Sequence, residues 1–250
     1  MSGRRLSRPR GEPRRIPEAS RRTPARPTGG APALDGPAGT WEQQEAASLA
    51  WWLARHPESS RLRRPAPGHV PTVAEISERA EAIMSVDRAR REGIDDETER
   101  ALLAWWHELS AGFWEPIERA RQAVRSGDPS GIETLVRFLE ADVYCFSSGY
   151  LKADAADALK RAELDAPTAE RLRAVILAVV DSYDRREFRA YVRLARHLVN
   201  PAFREALRAR LTDRSPRTAR HARWVLVGLS DPSVASFPPE RAVWPWKVGW

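Results

Sequence analysis

Arg185-Arg186-Glu187-Phe188-Arg189-Ala190-Tyr191-Val192-Arg193-Leu194-Ala195-Arg196-His197-Leu198-Val199 carries two patterns at once. Phe188, Tyr191, Val192, Ala195, Leu198 and Val199 recur at spacings of three and four, which lines one side of a helix with apolar side chains. Arg186, Arg189, Arg193 and Arg196 recur at the same spacings and form a cationic stripe beside it. The segment therefore predicts an amphipathic helix over residues 185–199.

The same rhythm extends to both sides. Residues 131–146 lead to 149–163, 167–182 lead to 185–199, and 201–212 lead to 216–229, with turns at Ser147-Ser148-Gly149, at Asp184 and at Thr212-Asp213-Arg214-Ser215-Pro216. The first helices of these pairs begin about 35 residues apart, the period of stacked helical repeats. In residues 216–229, Arg217, Arg220 and Arg223 recur every third position, with Trp224 adjoining, and Arg204 and Arg208 form a pair four apart.

Upstream, residues 41–55 read as a helix ended by His56-Pro57, because the residue before proline leaves helical space. Thr72 and Glu75 are spaced for a capping box opening the next helix, which ends near Gly93. Asp95-Asp96-Glu97-Thr98-Glu99 places acids at another helix start, where the dipole favours them. A further helix is expected over 114–125, after Gly112, stopping at Ser126-Gly127-Asp128-Pro129. Leu49-Ala50-Trp51-Trp52 recurs as Leu103-Ala104-Trp105-Trp106, either as core anchors or as an aromatic docking surface.

Asp213-Arg214-Ser215-Pro216-Arg217-Thr218-Ala219-Arg220-His221-Ala222-Arg223-Trp224-Val225-Leu226 resembles the HEAT-like helical repeats, in which an Asp/Pro turn opens a second helix carrying arginine and small residues. Gly149-Tyr150-Leu151-Lys152-Ala153-Asp154-Ala155-Ala156-Asp157-Ala158-Leu159 is a fainter echo without the proline and the arginine, and Arg185-Arg186-Glu187-Phe188 departs further. The resemblance implies an α-solenoid of antiparallel pairs whose second helices line a concave face. It implies no single activity. Some members of this class excise alkylated bases; Trp224 beside Arg220 and Arg223 is the one feature here that would suit such chemistry.

The expected organisation is all-α. Residues 1–40 form a disordered basic leader, 41–126 a helical region rich in tryptophan, 127–229 the stack of helix pairs, and 230–250 a Trp/Pro-rich tail. The leader holds nine arginines against three acids, with Pro and Gly steps and few large apolar residues. The tail, with Phe237-Pro238-Pro239 and Trp244-Pro245-Trp246, either caps the open end of the stack or docks on a partner.

Net charge is +7, unevenly spread: +6 over residues 1–40, −8 over 41–184 and +9 over 185–223. Such fields steer an anionic partner, or satisfy each other within the chain, or drive self-association. The near-absence of lysine (Lys152, Lys160 and Lys247 only) together with abundant alanine fits the coding bias of a high-GC bacterial genome. Cys145 is the lone cysteine, flanked by apolar residues, which fits a buried thiol in a reducing cytoplasm. No stretch reaches the ~20 apolar residues of a membrane span.

The sequence offers no HExxH or Cys/His metal spacing, no Gly-x-Ser-x-Gly elbow and no Gly-rich phosphate loop. No cofactor or metal is expected, and His197 and His221 read as surface histidines among the arginines. Stacked repeats are usually binding surfaces. The expected function is therefore a non-catalytic binding or scaffold protein. It would engage an acidic partner through Arg186, Arg189, Arg193, Arg196, Arg204, Arg208, Arg217, Arg220, Arg223 and Trp224. The alternative is sequence-indifferent nucleic-acid binding by that face and the leader.

Overall fold

The computed structural model of the protein describes residues 40–231 apart from Pro67, Gly93 and Phe146. The basic leader and the Trp/Pro-rich tail lie outside the described residues. Among the latter the structure is all-α, with nine α-helices and three short 3-10 turns.

Local signals set most helix starts. α1 (Trp41–Arg55) opens on Thr40, whose backbone N–H donates to Gln43 Oε1 at 2.9 Å in a reciprocal capping box. α2 (Val73–Glu92) opens on the expected box: Thr72 N–H donates to Glu75 Oε2 at 2.7 Å and Glu75 N–H to Thr72 Oγ1 at 3.2 Å. α3 (Asp96–Arg125) is capped by Asp95, which accepts from Thr98 N–H at 2.9 Å.

α3 corrects one expectation. The predicted break near Gly112 is absent, and the 30-residue helix runs through both Gly112 and Pro116. Proline removes a helical hydrogen bond at a cost of about 3 kcal/mol. Leu109, Phe113, Pro116 and Ile117 are all buried, and that packing outweighs the loss. The helix stops where expected, at Ser126 and Gly127, the latter at φ +89°.

The three pairs follow: α4 (Ile132–Ala141) with α5 (Ser148–Leu159), α6 (Ala166–Asp181) with α7 (Phe188–Leu198), and α8 (Pro201–Ala209) with α9 (Pro216–Gly228). α6, α8 and α9 each begin with a capping side chain, from Asp165, Asn200 and Ser215, and a proline in the first turn. Within each pair the helices pack on each other. Between pairs, α4 touches α6 and α6 touches α8, while α5 packs on α7 and α7 on α9. A single apolar core runs from Ile76 to Leu226, and α3 packs on both α4 and α5.

Two boundaries differ from the expected ones. α4 ends at Ala141 because Asp142 takes a left-handed conformation, φ 42° and ψ 34°. α7 begins at Phe188, so Arg185 and Arg186 belong to the preceding turn. Both changes place polar residues at the same end of the stack.

Gly131 marks the closest backbone approach between α3 and the stack. A Cβ there would lie 2.8 Å from Ala120 Cα and closer still to its carbonyl oxygen. Backbone cannot swing aside as a side chain can. Gly131→Ala is expected to lower stability by about 1–3 kcal/mol, as overpacking does. Urea unfolding checks this; an unchanged midpoint would mean that α3 and α4 shift apart freely.

Candidate binding cleft

The arginines expected to form an open face are mostly spent inside the fold. Arg193 of α7 donates to Asp157 of α5 at 3.0 Å. Arg196 Nε donates to the Gly228 carbonyl at 2.7 Å. Arg220 of α9 binds Asp184 through contacts of 2.7 and 2.9 Å. Arg204 and Arg208 converge on the buried Asp231 at 2.6 and 3.0 Å. Arg223 is half-buried and Arg189 is exposed. Arg217 is exposed and makes no ion pair among the described residues.

Trp224 lies in the core, edge-on to Phe188 with ring centroids 5.8 Å apart, so its ring is not offered to solvent. Val199, expected in the apolar stripe, is exposed at the end of α7. His221 is a further correction: it is buried, with Nδ1 3.0 Å from the Val180 carbonyl and Nε2 2.7 Å from Asp184. Both neighbours are acceptors, so satisfying both requires the doubly protonated ring.

The basic segment and the acidic middle thus neutralise each other to a large extent. Arg171 with Glu133 and Glu140, and Arg210 with Asp181, continue the pattern. Burial pulls the Asp184 carboxyl up, but hydrogen bonds from Arg220 and His221 outweigh that and hold it below the usual carboxylate range.

A different constellation stands out at the end of the stack where α5 and α7 begin. The left-handed Asp142 directs its carboxylate at two buried cations. Arg185 Nη1 and Nη2 donate to its two oxygens at 2.7 and 3.1 Å, and Lys152 Nζ donates to Oδ1 at 2.7 Å. The Lys152 and Arg185 side chains are each 1% exposed. The half-buried Asp142 is pushed up by desolvation, yet the hydrogen bonds from Arg185 and Lys152 prevail and keep it ionised below its ordinary range. Glu187 Oε1 lies 4.0 Å from Arg185 Nη1 and completes the buried cluster.

Arg185 and Glu187 of this cluster also line a cleft of about 640 Å³, together with Tyr144, Tyr150, Tyr183 and Arg186. The chain has four tyrosines; three line this cleft and the fourth, Tyr191, is buried near Asp142 and Arg185. Tyr144, Tyr150 and Tyr183 are 77%, 58% and 43% exposed. The Arg185 guanidinium stacks over Tyr183 at 4.5 Å and Arg186 stacks over Tyr150 at 4.3 Å. Arg186 is exposed and has no ion-pair partner among the described residues. An exposed guanidinium over a ring is suited to a carboxylate or phosphate beside an apolar or planar group.

Of the candidates drawn from the sequence, only Arg186 lines this cleft. The tyrosines sit in or beside the turns of two successive pairs, and that placement is the one sequence signal that pointed here. Cys145 lies next to the cleft but is fully buried, and burial pushes its thiol up to about 11. Among the described residues no group of His, Cys, Asp and Glu is arranged to hold a metal ion, and no helix is long and apolar enough to cross a membrane. Comparison with known proteins gave no match to a family model, to a curated protein or to a solved structure.

Asp142→Asn keeps a residue tolerant of the left-handed backbone but strands two buried cations. Stability is expected to fall by about 2–4 kcal/mol, toward the lower end of the cost of breaking a buried ion pair, because the Asp142 side chain is 38% exposed. The depressed carboxyl contributes fully above its unfolded value near ~4 and loses that contribution as pH falls through its lower folded value. Acid titration of unfolding should therefore be steeper below pH ~4 for the native protein than for Asp142→Asn; identical profiles would remove Asp142 from this role.

Proposed function

We propose that this is a non-catalytic binding or scaffold protein of the helical-repeat type, in the manner of HEAT-like stacks. It engages an acidic protein partner at the tyrosine–arginine cleft where α7 begins. The observation that carries this is the convergence of three exposed tyrosines with Arg186, a guanidinium left without an ion pair while its neighbours on α7 and α9 are largely internally bonded. Tyrosine and arginine are the side chains that dominate binding energy at interfaces, and here Arg185 and Arg186 are stacked on Tyr183 and Tyr150. The order of packing, first helix on first and second on second, supports the repeat reading. The lone buried cysteine supports a reducing, cytoplasmic setting.

A second reading, nucleic-acid binding, draws on the same rings, since tyrosine faces beside a guanidinium also stack on bases. The contribution once expected from the basic leader falls outside the described residues.

The two separate in solution. Binding of Asp/Glu-rich peptides and of oligothymidine is measured across a salt series, with the full chain and with a truncation lacking residues 1–40. Arg186→Glu is expected to weaken the acidic peptides about tenfold or more, the loss of one charge-assisted hydrogen bond with added repulsion. Arg217→Glu, away from the cleft, should have little effect. Equal effects of both substitutions would count against the cleft. Tighter, steeply salt-dependent binding of oligothymidine that survives the truncation would favour nucleic acid.

A further inference from the structure

The tyrosine cleft does not end at α5. Ser147, at the turn before α5, also lines a second cleft of about 340 Å³, walled by Ile83, Trp106, Trp114, Glu118 and Leu151. Trp106 is the second tryptophan of the repeated Leu-Ala-Trp-Trp motif; Trp105 is buried in the core, while Trp106 is half-buried and lines this groove. Five aromatic side chains thus line the two clefts that meet at Ser147. Neither the Trp106 and Trp114 indole N–H groups nor the Tyr144, Tyr150 and Tyr183 hydroxyls make a hydrogen bond among the described residues.

We infer that the two clefts form one groove for an extended, proline-rich segment of the acidic partner in the polyproline II conformation, with a carboxylate of that segment on Arg186. This rests on the cleft being a protein-binding site. Three observations favour this occupant. Aromatic walls with unpaired donors match a polyproline helix, which presents flat pyrrolidine rings and carbonyls that its own backbone leaves unbonded. The clefts share Ser147, one lined by α3 and α5 and the other by α5 and the turn before α7. Packed helices are separated by about 8–10 Å, and a polyproline helix rises about 3.1 Å per residue, so two prolines about three positions apart would fill both clefts. Finally, the groove's carboxylates are already partnered: Glu118 by Arg121 and Gln122, Asp184 by Arg220 and His221, and Glu187 by Arg185. A phosphate backbone laid along it would meet these carboxylates and find one free guanidinium, at Arg186.

The test uses fluorescence anisotropy with the full chain and labelled peptides carrying two prolines three apart and a glutamate at varied spacing. Matched peptides replace the prolines by alanine or the glutamate by lysine. Replacing the prolines should weaken the best peptide about tenfold or more. Trp114→Phe, which keeps an aromatic ring of smaller size and removes the N–H donor, and Tyr144→Ala, at the exposed rim, should each weaken it severalfold, the latter without lowering the melting temperature. Arg186→Glu should abolish the preference for glutamate over lysine. If acidic peptides bind equally with and without proline, and Trp114→Phe changes nothing, the extended groove is refuted while the acidic-partner reading stands. If no acidic peptide binds, both fall. Competition by oligothymidine at lower concentration than any peptide would overturn the proline-rich occupant in favour of nucleic acid.

Discussion

Two buried cations, Lys152 and Arg185, share one carboxylate, Asp142, and that triad fixes how the first helix pair meets the second. Taking charges out of water costs several kcal/mol each, so the arrangement is sustained only while every partner is in place. What it secures is geometry. Asp142 closes α4, Lys152 belongs to α5 and Arg185 to the turn before α7. A displacement of any one element leaves a buried charge unpaired. The tyrosines on those same turns therefore project from a base that cannot drift, which lowers the ordering cost of binding.

Away from this point the helices are joined by the opposite kind of contact. Half-exposed arginines bridge to acids on the neighbouring pair, each worth about 1 kcal/mol or less. Their larger effect is on the surface field. A segment that reads as strongly cationic in isolation meets the acidic middle of the chain and is largely neutralised. The surface loses a broad positive stripe and gains contrast: one unpaired guanidinium among aromatic rings is more discriminating than a uniform charge.

Much of the architecture was legible in the sequence because its signals are local. The Thr72–Glu75 box, the Asp95 cap, the stop at Gly127 and the alternation of apolar helix pairs all depend on residues within a turn of one another. Periodicity also placed Arg193 and Arg220 on the exposed sides of their own helices. It could not say which acid from another helix stands 3 Å away, since that is set by packing. Nothing in Ala141-Asp142-Val143 marks a left-handed residue, so the turn that builds the cleft was read as helix. Gly112 and Pro116 failed as stop signals for the converse reason: burial on both sides of α3 overrode them. His221 and Trp224 were misplaced because a helix face bearing arginines was taken to be a solvent face along its whole width.

Among the helix pairs from α4 onward, the interhelical ion pairs have a direction in sequence, unlike Arg90–Glu99 and Arg125–Asp154 upstream. Arg171 binds Glu133 and Glu140, Arg185 binds Asp142, Arg193 binds Asp157, Arg210 binds Asp181 and Arg220 binds Asp184. In each the acid precedes the arginine. During synthesis, then, the α6–α7 and α8–α9 pairs would emerge to find counter-ions for these arginines already displayed on the pair before, and that nascent surface would stay acidic and well hydrated until covered. Asp231 reverses the order, following Arg204 and Arg208, so these two arginines must wait for a carboxylate made after them.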